Sequence, residues 1–242
     1  MKKVLYALLV VCLAACHERQ SAPLILLPDC NKLRASGTFE LSIVNDDKNT
    51  LQLAGKGVER FEWLHDGTTL LLKTNGAEEL QATLSCVQLS EVELLGAVQA
   101  QQNPDSFAQY EKIAVYGTSS FVAVEINADS LDLRTSGQGA LRLDQIVADR
   151  VQVLASGQSQ QFLAGETERL QATLTGNAQL SAASLSAQRI ALTSSGRSIA
   201  EVFPTAHIGG TLSGQSAVGY RSNPVLEVAL DLQDAAIASP RE

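Results

Sequence analysis

Aromatic side chains are scarce in this chain of 242 residues, which has six Phe, four Tyr and one Trp. A core built without large rings must be thin and filled by aliphatic and small residues. Basic charge is not in surplus either: 18 Lys and Arg face 26 Asp and Glu, for a formal net charge of −8. That balance excludes a nucleic-acid binder, which needs a cationic face to neutralise phosphates. The three histidines, His17, His65 and His207, show no metal-ligand spacing. Neither a G-x-x-x-x-G-K-[ST] phosphate loop nor a G-x-S-x-G nucleophile elbow occurs. The reading is therefore of no catalytic residue, no cofactor and no metal. No apolar run approaches the roughly 20 residues that span a bilayer. What the chain does have is aliphatic content. At 45 % hydrophobic overall, it can form a core and is not intrinsically disordered.

The N-terminus reads as an address. Lys2 and Lys3 precede an apolar run from Val4 to Ala15, which is too short to span and fits the hydrophobic region of a secretory signal. It ends in Leu13-Ala14-Ala15-Cys16, which resembles the lipobox of bacterial lipoproteins. The resemblance implies that Cys16 carries a diacylglycerol and becomes the first mature residue. Cys12 has a poorer box and too little apolar length before it. Removal of Lys2 and Lys3 takes the formal side-chain charge from −8 to −10. Several acyl chains on one residue anchor stably where a single chain is marginal. His17, not Asp, stands second, which favours the outer membrane in a Gram-negative cell. The expected location is the cell envelope, and the expected membrane partner is reached through the lipid.

Two thiols remain, Cys30 and Cys86. In an exported protein an even pair is a disulfide candidate, and two separate buried thiols are the alternative. Neither belongs to a C-x-x-C pair, so redox and zinc-ribbon roles have no support.

The strongest signal is a repeat of about twenty residues. Leu131-Asp132-Leu133-Arg134-Thr135-Ser136-Gly137 returns with its glycine at Gly157, Gly176, Gly196 and Gly214, at spacings of 20, 19, 20 and 18. Ser or Thr precedes each of these glycines. Backwards, Gly117, Gly96, Gly76, Gly55 and Gly37 extend the series. Apolar residues alternate within each unit, as in Leu141/Leu143, Val151/Val153 and Ile190/Leu192, which is the period of a strand. One unit cannot bury its own apolar face; stacked units can, with successive strands pairing in parallel. Hairpin signals every 8–12 residues, as an antiparallel sandwich requires, are lacking. The expected fold is all-β: a single-domain parallel β-helix, or β-solenoid, of roughly ten coils. The structural glycines are Gly117, Gly137, Gly157, Gly176, Gly196 and Gly214. The domains read as signal peptide at 1–15, lipidated Cys, tether and N-terminal cover at 16–32, solenoid at 33–233 and C-terminal tail at 234–242. Leu226, Val228, Leu230 and Leu232 read as a closing strand.

The turns Ser136-Gly137-Gln138-Gly139, Ser156-Gly157-Gln158-Ser159, Ser195-Gly196-Arg197-Ser198 and Ser213-Gly214-Gln215-Ser216 resemble those of the putative autotransporter adhesin, head GIN domain family. The stretch from Ser213-Gly214 through Tyr220 to Asn223-Pro224 is similar to the family's usual ending. The resemblance is specific over 131–224 and looser from 33 onwards. It implies a β-helix and an adhesive role, with no catalytic residue to carry over.

Two functions from different classes are open. One is a non-catalytic envelope lipoprotein, an adhesin-like binding or scaffold module whose solenoid face takes a glycan or an envelope protein. The other is a cryptic carbohydrate-active enzyme, a lyase or hydrolase of β-helix type. Such enzymes gather carboxylates with Arg or Lys on one face. Here the acids recur as Asp149-Arg150 and Glu168-Arg169, with Gln188-Arg189 in the next unit. Stacked at about 4.8 Å, these read as a solvated ladder in which neighbouring columns of opposite sign relieve repulsion. Oligomeric state is left open.

Overall fold

The computed structural model describes residues 24–76, 79–105, 109–221 and 226–241. The signal segment, Cys16 and the tether at 17–22 lie outside the described residues. The early strands are β1 (Ile25–Leu26), β2 (Lys32–Asn45), β3 (Thr50–Gly55), β4 (Phe61–Asp66), β5 (Thr69–Thr74) and β6 (Leu80–Cys86). Next come β7 (Glu91–Gln102), β8 (Lys112–Val115), β9 (Ser120–Thr135), β10 (Ala140–Ala155) and β11 (Gln160–Leu174). The last are β12 (Gln179–Ser194), β13 (Ile199–Leu212), β14 (Ala217–Arg221), β15 (Glu227–Leu232) and β16 (Ile237–Arg241). From β7 to β16 each strand pairs in parallel with its counterparts in the turns before and after, so the expected β-solenoid is present.

Alternation builds the core. Leu133, Val153, Ala172 and Leu192 occupy one register position in successive turns, and all are buried. Leu131, Val151, Leu170, Ile190 and Ile208 form a second such column. Each fully buried aliphatic side chain stabilises the rod by about 1.5–3 kcal/mol. Side chains at i±1 point outward and form columns of their own.

The corner between turns shows why glycine recurs. Gly117, Gly137, Gly157, Gly176, Gly196 and Gly214 all have φ between +70° and +79°. Each stacks on its predecessor: a Cβ on Gly157 would sit 2.8 Å from the carbonyl oxygen of Gly137 and 3.1 Å from its nitrogen. That carbonyl is occupied, because Gln158 N–H donates to it at 2.7 Å, and the same bond repeats from Gln138, Asn177, Arg197 and Gln215 to the glycine one turn below. Handedness of φ and closeness of backbone both demand glycine here. The hydroxyls that close the corner are not the ones preceding glycine. Ser198 Oγ donates to Ser195 O at 3.0 Å and Ser216 Oγ to Ser213 O at 2.9 Å.

The coil count is lower than expected, at about seven turns. The loss lies at the N-terminal end, where Gly96 stacks directly on Gly37, and Gly55 and Gly76 leave the column. Residues 46–68 form an antiparallel excursion: β3 pairs with β6, β4 with β5, and β1 covers β3. The chain then returns beneath its own start. β5 and β6 pair in parallel with the two halves of β2, while β7 takes the opposite edge of β2. Residues 69–86 thus lie before 32–45 in space though after them in sequence.

At the other end, residues 234–241 extend the stack. Asp234, with φ +59°, takes the place of the next column glycine, and its carboxylate accepts a bond from Gly214 N–H at 3.1 Å. β16 then pairs with β14 as a further turn. Pro240 lies in that last strand and withholds one edge donor, a device that discourages strand addition.

The return of β6 to β2 also settles where the thiols lie. Cys30 and Cys86 meet because their turns are adjacent. Their sulfurs are 3.4 Å apart and buried, as free thiols rather than a bond of roughly 2.05 Å. Cys86 Sγ also donates to the Cys30 carbonyl at 3.1 Å. Contact with the Cys86 sulfur, with burial added, pushes the Cys30 thiol up.

Two outcomes follow from this architecture. Gly157→Ala is expected to destabilise the protein by about 1–3 kcal/mol from strain at positive φ, with the clash against Gly137 in addition. Gly67→Ala has equally unfavourable φ, +63°, but no atom within 4 Å of its Cβ. Thermal melts followed by circular dichroism should show the larger loss at Gly157; equal losses would mean that turn stacking does not matter. For the thiols, mild oxidation of the folded protein is expected to join Cys30 to Cys86. Alkylation in denaturant should then label neither, and closing a loop of 56 residues should stabilise by roughly 4 kcal/mol. Two labelled cysteines after oxidation would show that the pair does not close.

Candidate binding surface

The rod presents its outward columns as long faces. On the strand segment after each glycine, in-register positions carry Gln81, Glu40, Gln99, Ser120, Ala140, Gln160 and Gln179 in spatial order. The neighbouring column runs Thr83, Ser42, Gln101, Val122, Arg142, Phe162 and Ser181. Parallel pairing makes this arrangement compulsory, since residues twenty apart become neighbours at about 4.8 Å. The amides bond along the column: Gln81 Nε2 donates to Glu40 at 2.9 Å, and Ser120 Oγ donates to Gln99 Oε1. A shallow groove of about 600 Å³ lies over the first part of the face, with Ser42, Gln81, Thr83, Gln99 and Gln101 among its lining. A second depression, of about 330 Å³, continues it past Arg142, Gln160, Phe162 and Gln179. Arg142 covers the Phe162 ring with its guanidinium 4.4 Å from the ring centre and pairs with Asp144 at 2.8 Å. Acids on the face are engaged, Glu40 by Gln81 and Glu201 by Arg241 at 2.7 Å.

In the earlier turns the segment before the glycine is charged. Lys32, Glu91, Lys112 and Asp132 stack in that order, so signs alternate from turn to turn. Lys32 meets Glu91 at 2.7 Å, and Arg34 meets Glu93 at 3.5 Å. Arg134 pairs with Asp132 at 2.7 Å within its own strand, and that carboxylate holds the guanidinium above its ordinary pKa.

The third corner holds the acid–arginine units. Arg150, Arg169 and Arg189 stack in register with His207 above them. Asp149 and Glu168 stand one residue before and are exposed, but no ion pair joins them to the arginines. The expected relief of repulsion between these columns therefore does not take the form of salt bridges.

His65 and His207 lie far apart. His65 Nε2 contacts Asp29 O at 3.0 Å, and His207 Nδ1 faces Glu227 at 3.4 Å. His17 and the lipid-bearing Cys16 fall outside the described residues. Among the described residues no three His, Cys, Asp or Glu are grouped to hold a metal ion, and no helix is long and apolar enough to cross a membrane. The amide columns were not singled out from sequence. Gln99, Gln160 and Gln179 at twenty-residue multiples were the signal, visible once the turns are aligned.

No curated protein sequence matches the chain. Among solved structures, a putative adhesin from Parabacteroides merdae superposes with a TM-score of 0.80 at 14 % identity, covering 92 % of this chain and 96 % of that one. A putative lipid binding protein from Parabacteroides distasonis gives 0.82 at 14 % identity, with the same coverage of 92 % and 96 %. A putative adhesin from the latter species gives 0.79 at 14 %, covering 91 % and 97 %. At these identities the likeness is one of fold. The family model described as putative auto-transporter adhesin, head GIN domain, matches residues 29–224, and the chain belongs to that family.

Proposed function

We propose that this protein is a non-catalytic, adhesin-like binding module of the cell envelope, anchored through a lipid on Cys16. The observation that carries the reading is the pair of amide and hydroxyl columns over a shallow groove, with a stacked Arg142–Phe162 pair beside it. Repeated donors and acceptors at constant spacing suit a polymer with repeated hydroxyls. Family membership and the adhesin names of its structural neighbours support an envelope or extracellular setting. The lipobox at Leu13-Ala14-Ala15-Cys16 supports the anchor.

The full-length protein, in detergent micelles, is expected to be retained on immobilised envelope polysaccharide without releasing new reducing or unsaturated ends. Release of such ends at a rate that scales with protein would establish the carbohydrate-active alternative and overturn the non-catalytic reading; no retention would overturn binding. Growth with a palmitate analogue should label the wild type and leave Cys16→Ser unlabelled. Equal labelling of both would remove the anchor from Cys16.

A further inference from the structure

The stacking of Arg150, Arg169 and Arg189 is unlike the rest of the charged surface. Lys32, Glu91, Lys112 and Asp132 alternate in sign along their column, and where Arg221 lies opposite Arg241 both are engaged, Arg241 by Glu201 and Arg221 by the Phe203 ring. Here three like charges lie directly opposite in consecutive turns, an arrangement that destabilises a sheet. All three arginines are exposed, and none makes a side-chain hydrogen bond or ion pair among the described residues. Above them His207 is held by Glu227, which ends the column with opposite charge. The unfavourable stack is thus confined to three turns, a strip about 10 Å long at the solenoid spacing.

We infer that this column is a binding rail for an acidic glycan, a sugar chain carrying carboxylate or sulfate groups, laid along the axis of the rod. The inference deepens the binding reading above and rests on it, while placing the charged ligand at a different corner from the amide groove. Guanidinium forks match carboxylate and sulfate oxygens two at a time, and they do so without needing deprotonation or rearrangement. Gln152 and Gln171, two residues further along the same strands and in register, supply amides for neighbouring hydroxyls. The strip is one arginine wide and bordered by Asp149 and Glu168, in a chain of net charge −8. A duplex nucleic acid needs a broad basic surface and would be repelled by that border. A glycan with one charge per sugar or two passes over a narrow rail.

The test uses the full-length protein in detergent micelles with three probes: polygalacturonate, dextran sulfate and unmodified dextran. The wild type should bind at least one charged probe at low salt, lose affinity at high salt, and bind dextran more weakly. Whichever charged probe binds tighter identifies carboxylate or sulfate as the recognised group. The triple variant Arg150→Gln, Arg169→Gln, Arg189→Gln should lose at least about tenfold in affinity for that probe. Its melting temperature should be unchanged or higher, because like-charge repulsion has been removed. Replacement of the three by Lys should give intermediate affinity, since charge remains and the fork is lost. Undiminished binding by the Gln variant overturns the rail, as does wild-type binding to duplex DNA as tight as to the glycans. If the Gln variant keeps its retention on envelope polysaccharide while losing the charged probe, the rail and the wider binding reading both stand. If wild type and variant alike are not retained on envelope polysaccharide, the wider reading fails with it.

Discussion

Parallel, in-register pairing of one turn on the next is the constraint from which the other features derive. It fixes a spacing of about 4.8 Å between residues some twenty apart in sequence. It also brings every side chain against the same position of its neighbours. Backbone hydrogen bonds cannot be satisfied any other way in a rod of this kind, so the corner must be as tight as the strands. The Gly117-to-Gly214 column is the result: each glycine carbonyl receives an N–H from the turn above, leaving no volume for a Cβ. The absence of rings follows from the same spacing. In the regular turns the inward columns hold mostly Leu, Val, Ile and Ala, with Thr135, Gln161 and Ser194 among them, and the buried aromatics Phe39, Tyr110 and Phe121 lie no further along the chain than β9. Tyr110 and Phe121 meet edge to face at 5.7 Å, as do Phe39 and Phe61 at 5.6 Å.

Legibility from sequence tracked regularity. From residue 117 onward the glycine period and the alternation both reflect one repeated local geometry, and the residues sit where their spacing places them. Before that, spacing alone was misleading. Gly55 and Gly76 continue the arithmetic, but Gly55 ends a strand of the antiparallel excursion and Gly76 lies at the corner between β5 and β6, because β3 and β4 fold back instead of adding turns. Nothing in a twenty-residue period distinguishes a glycine that stacks from one that turns a hairpin. The distinction lies in which strand edge is free to receive the next segment, and that is a property of the assembled sheet. Asp234 escaped for the opposite reason. It performs the glycine's task with a residue that tolerates the left-handed region and caps the Gly214 N–H with its own carboxylate. The juxtaposition of Cys30 and Cys86 depended on the same rearrangement of order, with residues 69–86 placed on the outer edge of β2.

The two ends of the rod manage their open edges differently. At the first turn β1 and β3 lie across β6 as an antiparallel cover. At the last, Val228 and Leu232, in register with buried Ile208 and Leu212, remain 46 % and 47 % exposed, since no further turn among the described residues covers them. Pro240 and the charges of Asp231, Asp234 and Arg241 make that edge a poor template for another strand. Loss of order on heating should therefore begin at the uncovered end, where each residue has one neighbouring turn instead of two.

The outer columns obey the same geometry as the core but are free to differ in chemistry. A solenoid multiplies whatever a column contains: amides become a ladder of donors, alternating charges become a self-neutralising stripe, and arginines become a line of positive charge. The first two stabilise the rod by bonding along it. The Lys32–Glu91 pair, though partly exposed, opposes no neighbour, and Gln81 and Glu40 satisfy one another. The third does neither. Exposed ion pairs contribute little to stability, about 1 kcal/mol at most, so Asp149 and Glu168 had little energetic reason to close on the arginines. Their separation leaves three guanidinium groups with their full donor capacity directed at solvent, in a row whose period is set by the backbone. A surface built this way presents a fixed repeat distance and a single charge sign. Such a row suits a charged polymer more than a small ion, because a small ion meets one arginine and a chain meets the column.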